Sequence, residues 1–508
     1  MNTSSPQTAL SPELQNNPLL NFGRGIASYS EVKPEHIAPA IEFLLKRAQS
    51  AVDLATDPST PATWNQLAEP LEDATEALGR SWGVISHLNS VADTPELRAA
   101  YGAMLPEVTA FFSSLGQNLA LYQKFKVLSK SPEFAKLNRA QKKVIENSLR
   151  DFRLGGAELS DADKPRFAQI QDEQAILGKA FSDHVLDATD HFVHLISDES
   201  ELVGLPDDVK AAAADTAEQK GLKGWAFTLH FPSYYPIMQY SENRVLRRLM
   251  YEAYITRSSE LAPQFGEGKL DWDNTQNMLE QLRLRDEEAR MLGFANFAAL
   301  SLAPKMANTV DEVDRFLTDF AIKSKPYAKR DWDELCAFAK SELGLIDGVE
   351  PWDMAFASER LKQSRYAFSE NELKQYFPLP KVLEGLFGVI QTLFNVKIEA
   401  ANLPTWHADV QSFAVKDLSG KLRAYFYLDP YARPGKRGGA WMDDARGRRE
   451  LPNGEIQIPV AYLVCNFAPP VKVDGVLRQP TITHDDVITL FHESGHGLHH
   501  LLTQVSAR

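Results

Sequence analysis

The sequence predicts a mainly α-helical protein with a small β-sheet beside its last helix. Apolar residues recur at helical spacing from about residue 33 to residue 394. Segments rich in aromatic and β-branched residues are concentrated between 408 and 467, where turn residues separate them. A further helix with a strong start signal is predicted at 483–503, close to the last residue given.

The N-terminal part has the pattern of a stack of amphipathic helices. Residues 33–56 place Ile37, Ile41 and Leu44 on one helical face. Similar patterns, separated by Pro and Gly, predict further helices at 62–92, 95–127, 132–152, 162–189, 241–258, 272–293, 309–344 and 369–394. We expect the first two hundred residues or so to be a scaffold without chemistry of its own.

The strand-like segments fall into two groups. Two short ones are predicted at 191–196 and 224–231. Three longer ones, at 408–415, 422–432 and 455–467, alternate or run apolar and predict a small sheet just before the last helix. A polar leader at 1–26 is expected to be mobile, followed by a helical region at 27–220 and a second region at 221–508.

Composition excludes several classes of function. The chain has 508 residues, 44% of them hydrophobic and 24% charged, which is typical of a soluble globular protein. Its formal net charge of -14 disfavours binding to nucleic acid or to an anionic membrane, since both require a basic surface. Cys336 and Cys465 are far apart, which favours a reduced cytoplasmic protein without a disulfide framework. We find no signal peptide and no apolar run of membrane-spanning length.

The predicted last helix contains the sequence HESGH. Thr483 followed three residues later by Asp486 is typical of a capping box. His492 and His496 lie one turn apart, about 40° around the helix axis, so both imidazoles can reach one tetrahedral zinc ion. Glu493 lies about 100° from His492, where it can act as a general base without being a ligand. The alternative is a helix that carries surface histidines by chance.

A zinc site of this kind needs a third protein ligand. The metzincin pattern would place Gly at position 499 and His at position 502, but the chain has His499 and Leu502. His499 and His500 follow His496 too closely to join it from a regular helix, and we expect both to be solvated or to support the ligands. No acidic residue follows His496 in this sequence.

Several segments together resemble the thimet-oligopeptidase-like zinc peptidases of family M3. They are "FHESGHGLHHLLTQV", "AYFYLDPYARPGKRGGAWMDDAR", "GWAFTLHFPSYYPIMQY", "RRLMYEAYITRSS" and "VKPEHIAPAIE", and the resemblance runs from about residue 27 onward. It implies a two-lobed helical, zincin-like body with a deep channel, in which short peptides are cleaved with the help of Zn²⁺. His492 and His496 match the first two zinc ligands of the family, and Glu493 matches its general base.

The resemblance also implies a third ligand, a Glu, and Tyr and His side chains that stabilise the oxyanion. None of these is found in the 508 residues. We therefore expect residues 221–508 to be the N-terminal part of the family's catalytic domain, truncated after the HESGH helix.

The segment "AYFYLDPYARPGKRGGAW" raises a further hypothesis. It could supply an edge strand that an extended peptide joins, with Arg433, Lys436 and Arg437 near the peptide carboxylate. A plain strand that leads into a solvated Gly-rich loop explains the same residues. The GxxxxGK[ST] and GxSxG motifs are absent from the chain.

Two hypotheses about function follow. The first is a cytoplasmic zinc metallo-endopeptidase that acts on oligopeptides as a monomer, with Glu493 activating the attacking water. The second is a catalytically incomplete chain that only binds peptides or serves as a scaffold, since two imidazoles hold zinc less firmly than three ligands. A related expectation concerns folding: without the family's downstream helices, Leu498, Leu501 and Leu502 should be partly exposed and the chain prone to aggregation, because the helix has apolar residues on more than one side.

Overall fold

A computed structural model describes residues 11–21, 26–265, 270–451, 453–473, 476–478 and 480–507. Its α-helices in the N-terminal half are α1 Pro12–Gln15, α2 Pro34–Thr56, α3 Glu69–Val91, α4 Pro95–Gly116, α5 Leu119–Ser129, α6 Pro132–Lys136, α7 Arg139–Leu154, α8 Lys164–His191, α9 Asp207–Gln219, α10 Phe231–Tyr240 and α11 Arg244–Thr256. The later α-helices are α12 Thr275–Met291, α13 Phe297–Leu302, α14 Val310–Glu342, α15 Met354–Tyr366, α16 Glu370–Leu373, α17 Leu379–Phe394 and α18 His484–Leu501.

The strands are short in the first half and longer near the C-terminal end. They are β1 His194–Ile196, β2 Trp225–Phe227, β3 Val396–Ala401, β4 Gln411–Asp417, β5 Leu422–Tyr431, β6 Trp441–Arg446, β7 Arg449–Glu450, β8 Ile456–Gln457, β9 Val460–Phe467, β10 Val471–Val473 and β11 Val476–Arg478. The prediction of a mainly helical chain with a small sheet before the last helix is confirmed.

Asn side chains interrupt two of the predicted helices, because each caps the start of a new helix. The predicted helix at 95–127 is two helices, because Asn118 caps α5 by accepting a hydrogen bond from the backbone N of Leu121 at 2.9 Å. In the same way Asn138 and Gln141 form a capping box that starts α7 and separates it from α6. The sequence contained both caps, but the long apolar pattern masked the breaks.

Five of the described strands form one mixed sheet in the order β3-β4-β5-β9-β6. Strand β5 pairs with β4 antiparallel and with β9 parallel, whereas β6 pairs with the other side of β9 antiparallel. The chain between β5 and β9 therefore crosses the sheet and contributes its edge strand, β6. None of the described helices combines the length and the apolar character that spanning a bilayer requires.

Strand β9 separates two hydrophobic cores. Val460, Tyr462 and Val464 point to one face and pack in the core formed by the N-terminal helices. The alternate residues, among them Leu463 and Cys465, point to the other face and pack with α17 and α18. This two-residue alternation is the normal consequence of strand geometry, and it places the last helix and the N-terminal helices on opposite sides of the same strand.

Part of the predicted mobile leader belongs to the first core. Leu19 is fully buried in it, and Asn17 donates a hydrogen bond to the carbonyl of His36 at 2.8 Å. These contacts favour a docked conformation for this stretch, and the mobility of the leader stays a prediction. Residues 1–10 and 22–25 of the leader lie outside the described residues. The predicted boundary at 220 stays a prediction, since the first core joins residues from both sides of it.

The loop between β5 and β6 is held by a buried ion cluster, formed by Asp429, Arg433 and Lys436. The Asp429 carboxylate accepts hydrogen bonds from Lys436 Nζ at 2.8 Å and from Arg433 at 2.6 and 2.7 Å. Lys436 Nζ also donates to the carbonyls of Tyr431 and Cys465, at 2.7 and 2.6 Å. Both Asp429 and Lys436 are buried, so the cluster is shielded from water.

This cluster corrects the hypothesis that the loop's basic residues meet a peptide carboxylate. Arg433 and Lys436 are bound to Asp429, and only Arg437 is exposed. Burial lowers the pKa of Lys436 to about 8, and the Asp429 charge opposes that shift. Burial pushes the pKa of Asp429 upward, but Arg433 and Lys436 outweigh burial and leave the pKa below its ordinary value.

The same loop docks onto the N-terminal helices through its backbone. Gly435 N donates to an Asp190 carboxylate oxygen at 2.8 Å, and Gly435 O accepts from Asp93 N at 2.9 Å. Gly435 has a φ of +72°, and a Cβ there would lie 2.8 Å from Asp93 O. Glycine is therefore required both by the backbone conformation and by the close approach.

We predict that Asp429→Asn destabilises the protein strongly. The substitution leaves two cations in a buried site without a counter-charge, which typically costs about 3–5 kcal/mol. Urea unfolding at pH 7 measures this change in the free energy of unfolding. The control is Glu399→Gln, which removes an exposed carboxylate paired with Lys416 at 2.6 Å and should have a far smaller effect. Equal effects of the two substitutions would contradict the assigned role of the cluster.

A second buried group lies beside this loop, in an aromatic cluster formed by Tyr29, His87, Trp406, Tyr427 and Tyr462. His87 stacks on Tyr462 with ring centroids 3.7 Å apart, and Tyr462 and Tyr29 share a hydroxyl–hydroxyl hydrogen bond of 2.6 Å. His87 Nε2 has no hydrogen-bond partner among the described residues. Burial lowers the pKa of His87 to about 3; the Asp429 charge opposes that shift, and those of Arg433 and Lys436 add to it.

We predict that His87 makes the protein less stable in mild acid. The unfolded chain takes up a proton near pH 6.5 while the folded chain does not until about pH 3, so the stability present at pH 7 is lost as the pH falls. Between pH 7 and pH 5 this loss is about 2 kcal/mol. In His87→Phe, the free energy of unfolding in urea should fall by about 2 kcal/mol less than in the wild type between pH 7 and pH 5. His499→Gln should behave as the wild type. A wild-type pH dependence in His87→Phe would refute this assignment.

Candidate metal centre

Helix α18 begins at the capping box that the sequence predicts. Thr483 Oγ1 accepts from the backbone N of Asp486 at 3.1 Å, and Thr483 N donates to an Asp486 carboxylate oxygen at 2.9 Å. Burial raises the pKa of Asp486, and its hydrogen bonds with Thr483 oppose that shift. Asp485 and Asp486 both lie in the first turn, where negative charge is favourable because of the helix dipole.

The helix lies directly on strand β9. A Cβ built on Gly497 would be 3.0 Å from a methyl carbon of Leu463, so the glycine allows close contact with the strand. Leu490 and Leu501 are buried in the second core on the same side of the helix. The expectation that Leu501 would be partly exposed is wrong, because the sheet covers it; Leu498 and Leu502 are half-buried.

His492 and His496 converge on one point at the surface of α18. Their Nε2 atoms are 3.1 Å apart, and their rings are nearly perpendicular, at 82°. Two imidazole nitrogens bound to one tetrahedral zinc ion lie about 3.3 Å apart, given Zn–N bonds of about 2.05 Å. Both side chains are exposed, so an ion can approach them. The separation of the two nitrogens is therefore close to the one that two imidazole ligands of a tetrahedral ion require.

Glu493 lies on the same turn but is buried, with 7% of its surface exposed. It faces the sheet, near Cys465 of β9. Burial raises the pKa of the Cys465 thiol, Lys436 opposes this shift, and the Glu493 charge adds to it. The carboxylate is thus next to the imidazole pair in sequence, but it is shielded from bulk water.

The remaining histidines of the helix have other surroundings. His500 Nε2 donates to the carbonyl of Arg446 at the end of β6, at 3.0 Å, and His499 is exposed. Among the described residues, no group of three or more His, Cys, Asp and Glu side chains could hold a metal ion. The structure therefore brings together His492 and His496, but gives them no third ligand within the part of the chain that it describes.

The predicted edge strand is in a different place. Strand β5, which contains most of the segment "AYFYLDPYA", lies inside the sheet between β4 and β9 and cannot accept a peptide. The edge beside β9 is β6, which begins at Trp441. Sequence analysis did not identify β6 as the edge strand, because the alternation of apolar and polar residues does not give the order of strands in a sheet. It also missed Asp429, although a carboxylate at the end of an apolar strand is a visible signal of a buried partner.

Known proteins match the chain over nearly its whole length. Residues 237–508 match peptidase family M3, and residues 41–164 match the N-terminal domain of neurolysin and thimet oligopeptidase. Oligopeptidase A of Haemophilus influenzae is 45% identical over 490 residues, which are 96% of this chain and 70% of that protein. Oligopeptidase A of Escherichia coli is 43% identical, over 96% of this chain and 71% of that protein.

A solved X-ray structure of an oligoendopeptidase F shares the fold. It superposes with a TM-score of 0.51 at 15% identity, covering 92% of this chain and 64% of that chain. This chain therefore spans less than two thirds of the solved chain and about 70% of the two oligopeptidases A.

The family match covers more than half of the chain, and two oligopeptidases A are 43% and 45% identical to it. The chain therefore belongs to peptidase family M3, whose members are metallopeptidases.

Proposed function

We propose that this chain carries the metal-binding helix of a zinc-dependent endopeptidase that cleaves short oligopeptides. The observation that carries the proposal is the pair of Nε2 atoms of His492 and His496, 3.1 Å apart, with Glu493 on the same helical turn. The oligopeptidase A relatives support the substrate class. A cytoplasmic location is part of the proposal and is supported by the two isolated thiols, Cys336 and Cys465.

His492 and His496 would hold the metal through Nε2. The choice of zinc rests on the two imidazole ligands and the neighbouring general base, although other divalent ions also accept imidazole ligands. A third protein ligand, a Glu in this proposal, is not assigned to any residue of this chain. When bound, the ion supplies Lewis-acid polarisation of the scissile carbonyl and makes a water molecule more acidic.

Glu493 moves the proton in this proposal. Its carboxylate accepts a proton from the attacking water and then delivers it to the nitrogen of the departing amine. Burial against the sheet limits the rotamers that the side chain can adopt. It holds the carboxylate against the sheet, one residue along the helix from His492, instead of leaving it free in solvent.

Strand β6 would orient the peptide. It is the sheet edge beside β9, and no other described strand pairs with its outer side. An extended peptide can add to such an edge through main-chain hydrogen bonds, which select for length and extension more than for side chains. The hydrogen bond from His500 to the Arg446 carbonyl fixes the end of this strand relative to α18.

A chain that only binds peptides is not favoured, because the family match includes the HESGH helix and because its two histidines converge. The two functions differ in their requirement for Glu493. Peptide binding does not need this carboxylate, whereas hydrolysis does.

We predict that the purified chain binds one equivalent of Co²⁺ or Zn²⁺ through the imidazole pair. Substitutions of groups that merely support a ligand weaken metal binding about 10–100-fold, so His492→Ala or His496→Ala should weaken it by more than about 100-fold. Calorimetry and the visible spectrum of the Co²⁺ form measure this. His499→Ala, which alters an exposed histidine on the same helix, should bind as the wild type does. Unchanged binding in His492→Ala would contradict the assignment.

We also predict chelator-sensitive cleavage of a quenched fluorescent peptide by the zinc-loaded chain. Glu493→Gln should lower kcat about 10²–10⁴-fold, because it removes the general base, and should leave the zinc content unchanged. Glu399→Gln is the control and should be fully active. If the zinc-loaded wild type binds the peptide without cleaving it, the alternative of a catalytically incomplete chain that only binds peptides is supported instead.

A further inference from the structure

Strand β9 is longer than the partner that lies on one of its sides. It runs to Phe467, and β5 pairs with it up to that residue. On the other side, the pairing with β6 begins at Trp441, which lies opposite Val464. On this side, the last residues of β9 therefore face the loop that leads into β6 instead of a strand.

The side chain of Asn466 replaces the main-chain ladder beyond the start of β6. The register of β6 and β9 pairs Trp441 with Val464. Continued by two residues, this register places Gly439 opposite Asn466. Gly439 has a φ of +93°, so the chain is not extended there and the main-chain ladder stops. Instead, Asn466 Nδ2 donates to the carbonyl of Gly439 at 2.6 Å and to that of Arg437 at 3.0 Å.

The imidazole pair of α18 is level with the start of β6. Gly497 of α18 lies against Leu463, which pairs with Met442 of β6. Glu493, one turn earlier in α18, lies near Cys465, two residues further along β9. Four residues of helix rise about 6 Å and two residues of strand span about 6.6 Å, so the two contacts agree. Helix α18 therefore runs in the same direction as β6, and the imidazole pair lies beside the first residues of this strand.

A peptide that is cleaved in its interior has residues on both sides of the metal. Strand β6, Trp441–Arg446, covers the side toward its own C-terminal end. On the other side lies the segment 437–440, whose first three residues are exposed. A loop that must become ordered as the peptide binds loses conformational entropy, and this loss weakens binding. A backbone that is already held in place avoids this cost, and the two hydrogen bonds from Asn466 hold it.

We infer that Asn466 is a positioning residue for peptide binding, because it extends the peptide-binding edge of β6 past the imidazole pair to residue 437. The inference rests on the proposed function of β6 as the strand that orients the peptide. The extended edge, 437–446, spans about 33 Å at about 3.3 Å per residue, whereas β6 alone spans about 20 Å. Asn466 therefore affects the binding of long peptides and not the chemistry at the metal.

The test compares peptide binding at two lengths in the presence of a chelator, so that no peptide is cleaved. Fluorescent extended peptides of about five and about ten residues are used, because the shorter one fits on β6 alone. The wild type should bind the longer peptide more tightly. Asn466→Asp and Asn466→Ala cannot donate to the two carbonyls. In both variants the dissociation constant of the longer peptide should rise about tenfold, and that of the shorter one less than about twofold.

Hydrogen exchange measures the cause separately from peptide binding. The backbone amides of 437–440 should exchange faster in both Asn466 variants, because the segment loses the bonds that hold it. Asn453→Asp is the matched control: Asn453 uses its side-chain oxygen to accept from the backbone N of Glu455 at 3.0 Å, and an aspartate can accept the same bond. It should behave as the wild type in every measurement, and urea unfolding verifies that all three variants fold.

The inference is overturned if exchange at 437–440 is unchanged in the Asn466 variants, or if these variants bind the longer peptide as the wild type does. Equal losses of affinity for both peptides would also overturn it, because Asn466 would then only support the fold. If the wild type binds neither peptide, this inference and the role proposed for β6 both fail. Selective loss of the longer peptide supports the inference even where the zinc-loaded chain does not cleave that peptide, an outcome that bears on the proposed activity alone.

Discussion

The contact between α18 and strand β9 is the constraint on which the rest of the site depends. Gly497 lets the helix lie close to Leu463, and the buried leucines of α18 fix its rotation about its own axis. Once that rotation is fixed, helical geometry sends His492 and His496 to the surface and Glu493 toward the sheet. The chemical roles proposed for these residues thus follow from which side of the helix is apolar.

The same strand connects the site to the N-terminal helices. Its other face is covered by the first hydrophobic core, and its end is held by Lys436 through the Cys465 carbonyl. The loop that carries Lys436 docks through Gly435 onto the N-terminal helices. The helical scaffold therefore has a physical role in the candidate site, because it holds the strand against which α18 packs. Burying three charges for this purpose is costly, and the many hydrogen bonds of the cluster offset that cost.

The sequence was sufficient wherever the decisive interaction is local. The capping box at Thr483 and the convergence of His492 and His496 depend on residues three or four positions apart, and the structure has both. The sequence was insufficient where the interaction is distant. The order of the strands, the docking of Leu19 and the burial of Lys436 depend on contacts between residues far apart in the chain. The breaks at Asn118 and Asn138 were local, but a continuous apolar pattern outweighed them.

The most direct test of the central claim is X-ray absorption spectroscopy of the zinc-loaded chain. The account predicts two imidazole nitrogens at about 2.0–2.1 Å from the metal, and the loss of this imidazole signal when His492 and His496 are both replaced by alanine. Zinc bound by sulfur, or an imidazole signal that survives both substitutions, would contradict it.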